Sequence, residues 1–147
     1  MASIRKTALV PFTCERMFDL VANVDAYPQF LPWCSGSQVT PAPAGTAGNP
    51  VDARVDVDFY GAKLSFTTRN HHEHPVKIDM AYLSGPFREF NGCWQFHRLG
   101  SEACKIEFSL DYLMNAGVIG SALAPVFGQI ASNMVNAFVS RAEQIYG

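Results

Sequence analysis

Residues 51–70 of the chain read VDARVDVDFYGAKLSFTTRN, and this stretch decides the fold class. Between positions 51 and 59 every odd position is apolar, while the positions between them carry three aspartates and one arginine. A strand places successive side chains on opposite faces of a sheet, so this alternation gives one buried face and one solvated face. Such a two-faced strand is typical of an antiparallel sheet. Gly61 then predicts a turn into a second strand with the same alternation.

The rest of the chain supplies further strands of this kind. Residues 3–10 are rich in strand-forming residues and end at Pro11. Downstream, alternating apolar residues form three groups: Val76, Ile78, Met80 and Tyr82; Phe90, Trp94 and Phe96; and Cys104, Ile106, Phe108, Leu110 and Tyr112. Turns are predicted between these groups, at Gly85-Pro86 and at Leu99-Gly100. We expect one domain spanning 1–147, with TPAPAGTAGNP (40–50) as a flexible connection.

A short helix is predicted directly after the first strand. Thr13 is a plausible N-cap, and Glu15 lies in the first turn, where the helix dipole favours an acid. Phe12 and Met17 occupy the two positions of a hydrophobic staple. The helix is expected to end before Pro28.

A long amphipathic helix is predicted at the end of the chain. Most large apolar side chains of residues 119–145 project into one arc of about 120°. At about 1.5 Å per residue the helix would be roughly 40 Å long, and Pro125 is expected to kink it. No charged residue occurs from Tyr112 to Ser140, but a polar stripe at helical spacing argues against a transmembrane span. We expect a helix packed on the sheet, whose uncharged flank is available to a ligand or partner.

Composition and charge limit the function classes. The 147 residues carry a formal net charge of −2 and a pI of about 6.0, so DNA is not expected as a partner. The first ten residues lack the apolar run of a secretory signal. The four cysteines, Cys14, Cys34, Cys93 and Cys104, show no CxxC spacing and are typical of reduced, buried thiols. We therefore expect a cytoplasmic protein.

Two polar clusters invite a metal or catalytic interpretation. In NHHEHP (70–75), His72 and His74 would share one face of a strand, but a third ligand is missing and Pro75 marks a turn. A solvated hairpin is the simpler interpretation. The aspartates between 52 and 58 alternate with buried positions, so they belong to the solvated face of a strand. No nucleophile–base pair is readable either, and we predict no catalytic and no metal-binding residue.

Arg141 is a charged residue inside the apolar arc of the last helix. It needs a partner or a route to water. Two roles stay open: a structural ion pair near the helix end, or a contact at a ligand or partner surface. Arg69 and Arg88 are further candidates to bind a polar head group.

The segment VDAYPQFLPWCSG (24–36) places four large apolar side chains among turn-forming residues. Pro28 and Pro32 prevent a regular strand or a long helix there, and loops are usually polar. Phe30, Leu31 and Trp33 are therefore expected to form either a static plug or a mobile apolar lid.

Three stretches carry a resemblance to a known family. They are YPQFLPWCSG (27–36), PFREFNGCWQF (86–96) and AFVSRAEQIYG (137–147). In this order and spacing the chain resembles the START-like (Bet v 1-like) helix-grip superfamily. Within it, the chain is most similar to the coenzyme-Q-binding, polyketide-cyclase-like branch, which includes bacterial ribosome-association toxins. The resemblance covers essentially all of 1–147.

The resemblance implies an α+β fold in which a curved antiparallel sheet wraps around a long C-terminal helix, with short helices after the first strand. It also implies a cavity between sheet and helix for an apolar ligand, most simply ubiquinone or a related lipid. The residues expected to line this cavity or its mouth are Phe30, Leu31, Trp33, Phe66, Trp94, Val118, Ile119, Leu123 and Phe127. Ubiquinone would be a bound ligand and not a cofactor, and no cofactor is expected.

The function expected from this resemblance is non-enzymatic ligand binding that supports respiration. The protein would then be cytoplasmic, with transient contact to a membrane surface and a peripheral place at the inner membrane. Two alternatives stay open. One is a toxin that binds the large ribosomal subunit and blocks subunit joining. The other is a cyclase or dehydratase, which would need an acid–base pair in the cavity.

Overall fold

Seven strands and three α-helices make up the chain, and a computed structural model describes residues 1–147 in full. The strands are β1 (Ala2–Val10), β2 (Cys34–Pro41), β3 (Val51–Phe59), β4 (Ala62–Glu73), β5 (Lys77–Ser84), β6 (Phe87–Leu99) and β7 (Ala103–Met114). The helices are α1 (Cys14–Ala22), α2 (Val118–Ser132) and α3 (Met134–Tyr146). A 3₁₀ helix (Val24–Gln29) follows α1.

The strands form one antiparallel sheet in the order β1-β7-β6-β5-β4-β3-β2. From β2 to β7 each strand pairs with the next one along the chain, which makes a meander. Strand β1 pairs with β7 and forms the other edge of the sheet. Consecutive strands β1 and β2 therefore lie at opposite edges of the sheet, and α1 with the 3₁₀ helix carries the chain between them. The expected run of antiparallel strands is confirmed.

The sheet has one buried face. In β7 every second residue from Cys104 to Met114 is buried, and the residues between are partly exposed. Pairing registers shift at three points, between Cys34 and Gly36, Thr67 and Thr68, and Phe87 and Glu89. An extra residue in one strand bends it and increases the local twist. These shifts help to give the sheet a concave face, on which the helices pack.

The N-terminal helix begins as predicted. The Thr13 hydroxyl accepts a hydrogen bond from the Arg16 backbone N–H at 3.2 Å, and Glu15 lies in the first turn. The helix ends at Ala22, and Pro28 lies within the 3₁₀ helix that follows.

The expected single C-terminal helix is instead two helices, α2 and α3, bent by 40° at Asn133. Pro125, at which a kink was expected, lies inside α2, whereas the bend falls at Asn133. The Asn133 side-chain amide donates to the Gln129 carbonyl at 2.8 Å, while its backbone N–H donates to the Ile130 carbonyl at 3.2 Å. In a continuous α-helix the Asn133 backbone N–H would donate to the Gln129 carbonyl. The side chain has taken that acceptor, so the last turn tightens and the helix stops.

Neither C-terminal helix alone is long and apolar enough to cross a membrane. The bent pair meets that criterion, by length and composition only.

Strand β2 was not predicted, because CSGSQVTP lacks a clean alternation of apolar and polar residues. It pairs only with β3 and forms the sheet edge. Edge strands tolerate proline, as at Pro41, since one side of the strand needs no partner. The flexible connection is therefore shorter than 40–50 and begins after Pro41.

Apart from Asn70, which is buried, the polar clusters lie on the outside of the molecule. Asp52 receives two hydrogen bonds from the Arg69 guanidinium, at 2.9 and 3.1 Å, as expected for the solvated face. This contact lowers the pKa of the Asp52 carboxyl. His74 lies in the turn after β4 with Nε2 3.0 Å from the Asp19 carboxylate. No group of three histidine, cysteine or acidic side chains in the chain is close enough to hold a metal ion.

Candidate functional site

A cavity of about 60 Å³ lies between the concave face of the sheet and the C-terminal helices. Of its 18 lining residues 16 are apolar. They come from nearly every element: the 3₁₀ helix, β3 to β7, α2 and the start of α3. The cavity is therefore a property of the whole fold and not of one motif.

Four of the nine predicted site residues line this cavity. They are Trp33, Phe66, Trp94 and Phe127. Trp94 is almost fully buried, and its ring lies 4.4 Å from that of Phe108, measured between centroids. Phe30, Leu31 and Leu123 pack nearby in or against the core but do not line the cavity.

Val118 and Ile119 do not lie where they were expected. Their side chains are 86% and 75% exposed, and neither lines the cavity. The reason is the tight turn from β7 into α2, where Gly120 packs so closely that an added Cβ would lie 1.8 Å from the Asn115 carbonyl oxygen. The helix is first buried at Gly120, and nothing covers its first two side chains.

Phe127 anchors α2 to the sheet. Its ring centroid lies 4.7 Å from that of Phe87, 4.9 Å from Tyr112 and 5.8 Å from Phe66, all in edge-on arrangements. Edge-to-face contacts of this kind are favourable beyond the area they bury. One α2 side chain therefore closes this part of the cavity against three strands.

Trp33 stands between the cavity and the outside. It lines the inner cavity and also an outer groove of about 250 Å³. Ile130 lines both as well, and Asn133, where α2 ends, lines the groove. Two side chains beside the helix break therefore separate the inner space from solvent.

Two polar side chains, Thr68 and Asn70, line the cavity and were missed by the sequence analysis. They are 4% and 6% exposed, and the Thr68 hydroxyl donates to the Asn70 side-chain oxygen at 2.7 Å. A signal was present in the sequence. The inward-facing positions of β4 run Ala62, Leu64 and Phe66 before they reach this polar pair, so the same register turns polar toward the core.

The cavity offers no acid–base pair. Tyr27 is the single titratable residue that lines it, and its hydroxyl donates to the Val21 carbonyl. Burial raises the pKa of the Tyr27 phenol far above its usual value, so the phenol is neither a base nor an acid near neutral pH. Proton transfer at a substrate needs groups that titrate near the working pH.

Arg141 forms no ion pair with an acid and does not line the cavity. Its guanidinium carbon lies 5.1 Å from the centroid of the Phe30 ring, and its nitrogens reach the side-chain oxygens of Gln144 and Gln29 at 3.3 and 3.5 Å. The expectation of an ion pair is wrong, because a cation–π contact on the 24–36 segment satisfies this charge instead.

Comparison with known proteins identifies the family. Residues 10–139 match the family model described as polyketide cyclase/dehydrase and lipid transport. The chain belongs to this family. Solved structures agree with the fold: a START superfamily protein from Mycobacterium smegmatis superposes with a TM-score of 0.78 at 23% identity, covering 97% of this chain and 98% of that one. The Zhui aromatase/cyclase of a Streptomyces species superposes with a TM-score of 0.76 at 17% identity, covering 97% and 94%.

Relatives of this family member carry toxin names or a coenzyme Q-binding name. The Escherichia coli K12 protein named ribosome association toxin RatA is 42% identical over 146 residues, covering 99% of this chain and 90% of the relative. The Schizosaccharomyces pombe mitochondrial protein named coenzyme Q-binding protein coq10 is 25% identical over 141 residues, covering 95% and 85%. The branch expected from the sequence is confirmed.

The surface of this family member shows little unpaired positive charge. Six of its eleven lysines and arginines lie within 4.0 Å of a carboxylate. A further one, Arg16, lies 5.2 Å from the centroid of the Tyr146 ring. A basic surface that tracks a phosphate backbone needs clustered, available cations, and here most are already paired.

Proposed function

We propose that the protein binds an uncharged, mainly apolar ligand of the ubiquinone type in the cavity between the sheet and the C-terminal helices. The observation that carries this proposal is the lining: 16 apolar residues, one Thr–Asn pair and no charged side chain. Apolar walls with a few placed polar groups are typical of small-molecule sites. The family description, which includes lipid transport, and the coenzyme Q-binding relative support the same function.

The cavity must enlarge before such a ligand can enter. Its volume of about 60 Å³ is below the ~150 Å³ that holds a single benzene ring in an engineered protein cavity. A substituted quinone ring needs more. Binding is therefore coupled to movement of a wall, and α2 is the wall bounded by the break at Asn133.

The route of entry in this proposal passes Trp33 and Ile130. These side chains line both the cavity and the outer groove, so their displacement joins the two spaces. A quinone with a long apolar tail is held in a bilayer, and aromatic residues such as Trp favour the membrane–water interface. Transient contact of this face with the inner membrane, by an otherwise cytoplasmic protein, follows from the proposal.

Ligand titration with a matched pair of variants on α2 tests the proposal. Decylubiquinone is added to the purified protein, and quenching of the fluorescence of Trp33 and Trp94, which both line the cavity, reports binding. Ala131 lines the cavity and is 2% exposed, so Ala131→Leu should fill it and abolish quenching. Ala122 is exposed on the same helix, so Ala122→Leu should bind like the wild type. Equal quenching in both variants would place the quinone elsewhere.

A second candidate function is association with the large ribosomal subunit. One observation favours it: RatA proteins of E. coli, Vibrio cholerae and Pseudomonas aeruginosa are 40–42% identical over 98–100% of this chain. The paired basic surface gives no independent support. Comigration of the purified protein with large subunits in a sucrose gradient, together with loss of joined ribosomes on overexpression, would establish this function, and the absence of both would exclude it.

A cyclase or dehydratase activity has weaker support. The aromatase/cyclase neighbour is 17% identical and shows the fold alone. Because the cavity lining holds no pair of titratable groups near neutral pH, we propose a non-enzymatic protein.

A further inference from the structure

Strand β4 brings a hydrogen-bonded polar pair into an otherwise apolar cavity. Thr68 and Asn70 are separated by one residue, so both side chains point to the concave face. Each is more than nine-tenths buried. A buried polar side chain without a partner is costly, so an amide at this position needs an explanation.

The hydrogen bond between them fixes which group faces the cavity. The Thr68 hydroxyl has one hydrogen, and it is donated to the Asn70 side-chain oxygen at 2.7 Å. The Asn70 amide nitrogen carries two hydrogens, and neither is donated to a protein atom. This nitrogen is also not among the fully enclosed polar atoms that lack a partner. It therefore reaches the accessible space of the cavity that Asn70 lines.

The surroundings of this amide limit what it can bind. No lysine, arginine, histidine or acid lines the cavity. An anionic head group would lose its hydration there and meet no opposite charge, which is strongly unfavourable. A pure hydrocarbon would leave both amide hydrogens unpaired. The complementary group is an uncharged oxygen with free lone pairs.

We propose that Asn70 is the specificity-determining residue of this cavity, that its amide donates to a carbonyl oxygen of the bound ligand, and that Thr68 is the positioning residue that holds the amide in this orientation. The ligand class is an uncharged ring or chain that bears a carbonyl, such as an oxidised quinone or a ketone. This inference rests on the proposed binding function and adds the contact that selects the ligand.

Binding measurements with four probes test the inference. They are decylubiquinone, decylubiquinol, dodecylbenzene and dodecanoate, each followed by quenching of Trp33 and Trp94 or by competition against decylubiquinone. The wild type should bind the quinone most tightly and dodecanoate least. Asn70→Leu, which is close in volume and has no donor, should bind the quinone about tenfold more weakly, the effect of one lost hydrogen bond, and should bind dodecylbenzene no more weakly than the wild type.

The positioning role of Thr68 has its own pair of variants. Thr68→Val removes the hydroxyl with almost no change of shape, so the Asn70 amide is free to turn and the preference for quinone over quinol should shrink. Thr68→Ser keeps the hydroxyl and should restore that preference. Asn91→Leu, at an exposed position on β6, controls for the Asn-to-Leu change itself and should bind as the wild type does.

The outcomes separate this inference from the function on which it rests. No binding of any probe by the folded wild type would overturn the proposed function. Quinone binding that is equal in wild type and Asn70→Leu would leave the function standing and overturn the role of Asn70, whose amide would then hold only water. Tighter binding of the quinol by the wild type would show that the amide oxygen, and not the nitrogen, faces the ligand.

Discussion

Trp33 and its neighbours combine a fixed and an exposed part within one short segment. Tyr27 and Leu31 are 5% and 1% exposed and form part of the core under the 24–36 segment. Phe30 and Trp33 are only half-buried, and Trp33 borders the outer groove. This burial fits a static plug at Leu31, and it makes Trp33 the side chain at which to test for a mobile lid.

Fluorescence of Trp33 tests this division. In a Trp94→Phe background Trp33 is the sole tryptophan, and its emission should shift to the blue when quinone-loaded liposomes are added, because the ring leaves water. An emission maximum that is already blue in buffer, and does not move, would show that Trp33 is ordinary core.

Removal of the Trp33 ring gives a second test. Trp33→Ala should cost less stability than the ~3–5 kcal/mol of a fully buried aromatic residue, since this ring is half-buried. Uptake of quinone from liposomes should become slower, because the ring at the entry to the cavity is missing. A stability loss of ~3–5 kcal/mol with an unchanged rate of uptake would instead show that Trp33 is part of a static plug.

His72 gives the protein a predictable pH dependence. His72 is exposed at the surface, but partial desolvation of its ring, which lies 5.6 Å from the Phe18 ring between centroids, followed by the positive charges of His71 and His74, lowers its pKa below the usual 6.5. As pH falls, the unfolded chain therefore binds this proton before the folded chain does. The free energy of unfolding is unaffected by His72 above about pH 6.5 and decreases below it. In urea unfolding, the wild type should lose stability between about pH 7 and 5 relative to His72→Gln. Parallel profiles would contradict this origin.

At the scale of elements, two glycines on α2 make a matched comparison. An added Cβ at Gly120 would meet the Asn115 backbone oxygen at 1.8 Å, whereas at Gly128 it would meet the Tyr112 side-chain hydroxyl at 3.0 Å. Gly120→Ala should destabilise by about 1–3 kcal/mol, since backbone must move. Gly128→Ala should stay within about 1 kcal/mol of wild type, because its gain in helix propensity offsets a tight contact. Equal urea midpoints for the two variants would contradict this account of how α2 is fixed.

The elements also show what sequence alone can predict. The strict alternation of β3 and β7 and the capped start of α1 follow from local rules, and all three were predictable. The end of α2 at Asn133 depends on one side chain competing for a backbone carbonyl, which periodicity does not show. Strand β2 owes its structure to pairing with β3, and its own residues carry no clear signal.

The binding site is less predictable than the fold at the scale of the whole molecule. Phe66, Trp94 and Phe127 lie on apolar faces, and in the structure they line the cavity. Ile119 falls in the same predicted apolar arc as Phe127, yet it is exposed because the helix begins where the turn from β7 allows. Asn70 was missed, because an inward polar residue on a strand has meaning only once the space in front of it is known.

The charge distribution of the whole molecule predicts how any ribosome association would respond to salt. Proteins with 6–10 phosphate contacts lose roughly 10³–10⁵ in affinity between 50 and 200 mM salt. Because six of the eleven basic side chains here already pair with acids, five remain for phosphate contacts, and cosedimentation with large subunits, if it occurs, should weaken by no more than about 500-fold over that range. A larger loss of affinity over that range would show that these ion pairs break and that their basic side chains contact RNA phosphates.

The central claim is that the cavity holds an uncharged apolar ligand, and mass spectrometry of organic extracts tests it most directly. Wild type and Ala131→Leu are purified from the same cells under the same conditions and extracted in parallel. We predict that the wild type releases a quinone or another carbonyl-bearing neutral lipid and that Ala131→Leu releases far less of it. Extracts that hold no such lipid, or that hold the same amount of it from both proteins, would contradict the claim.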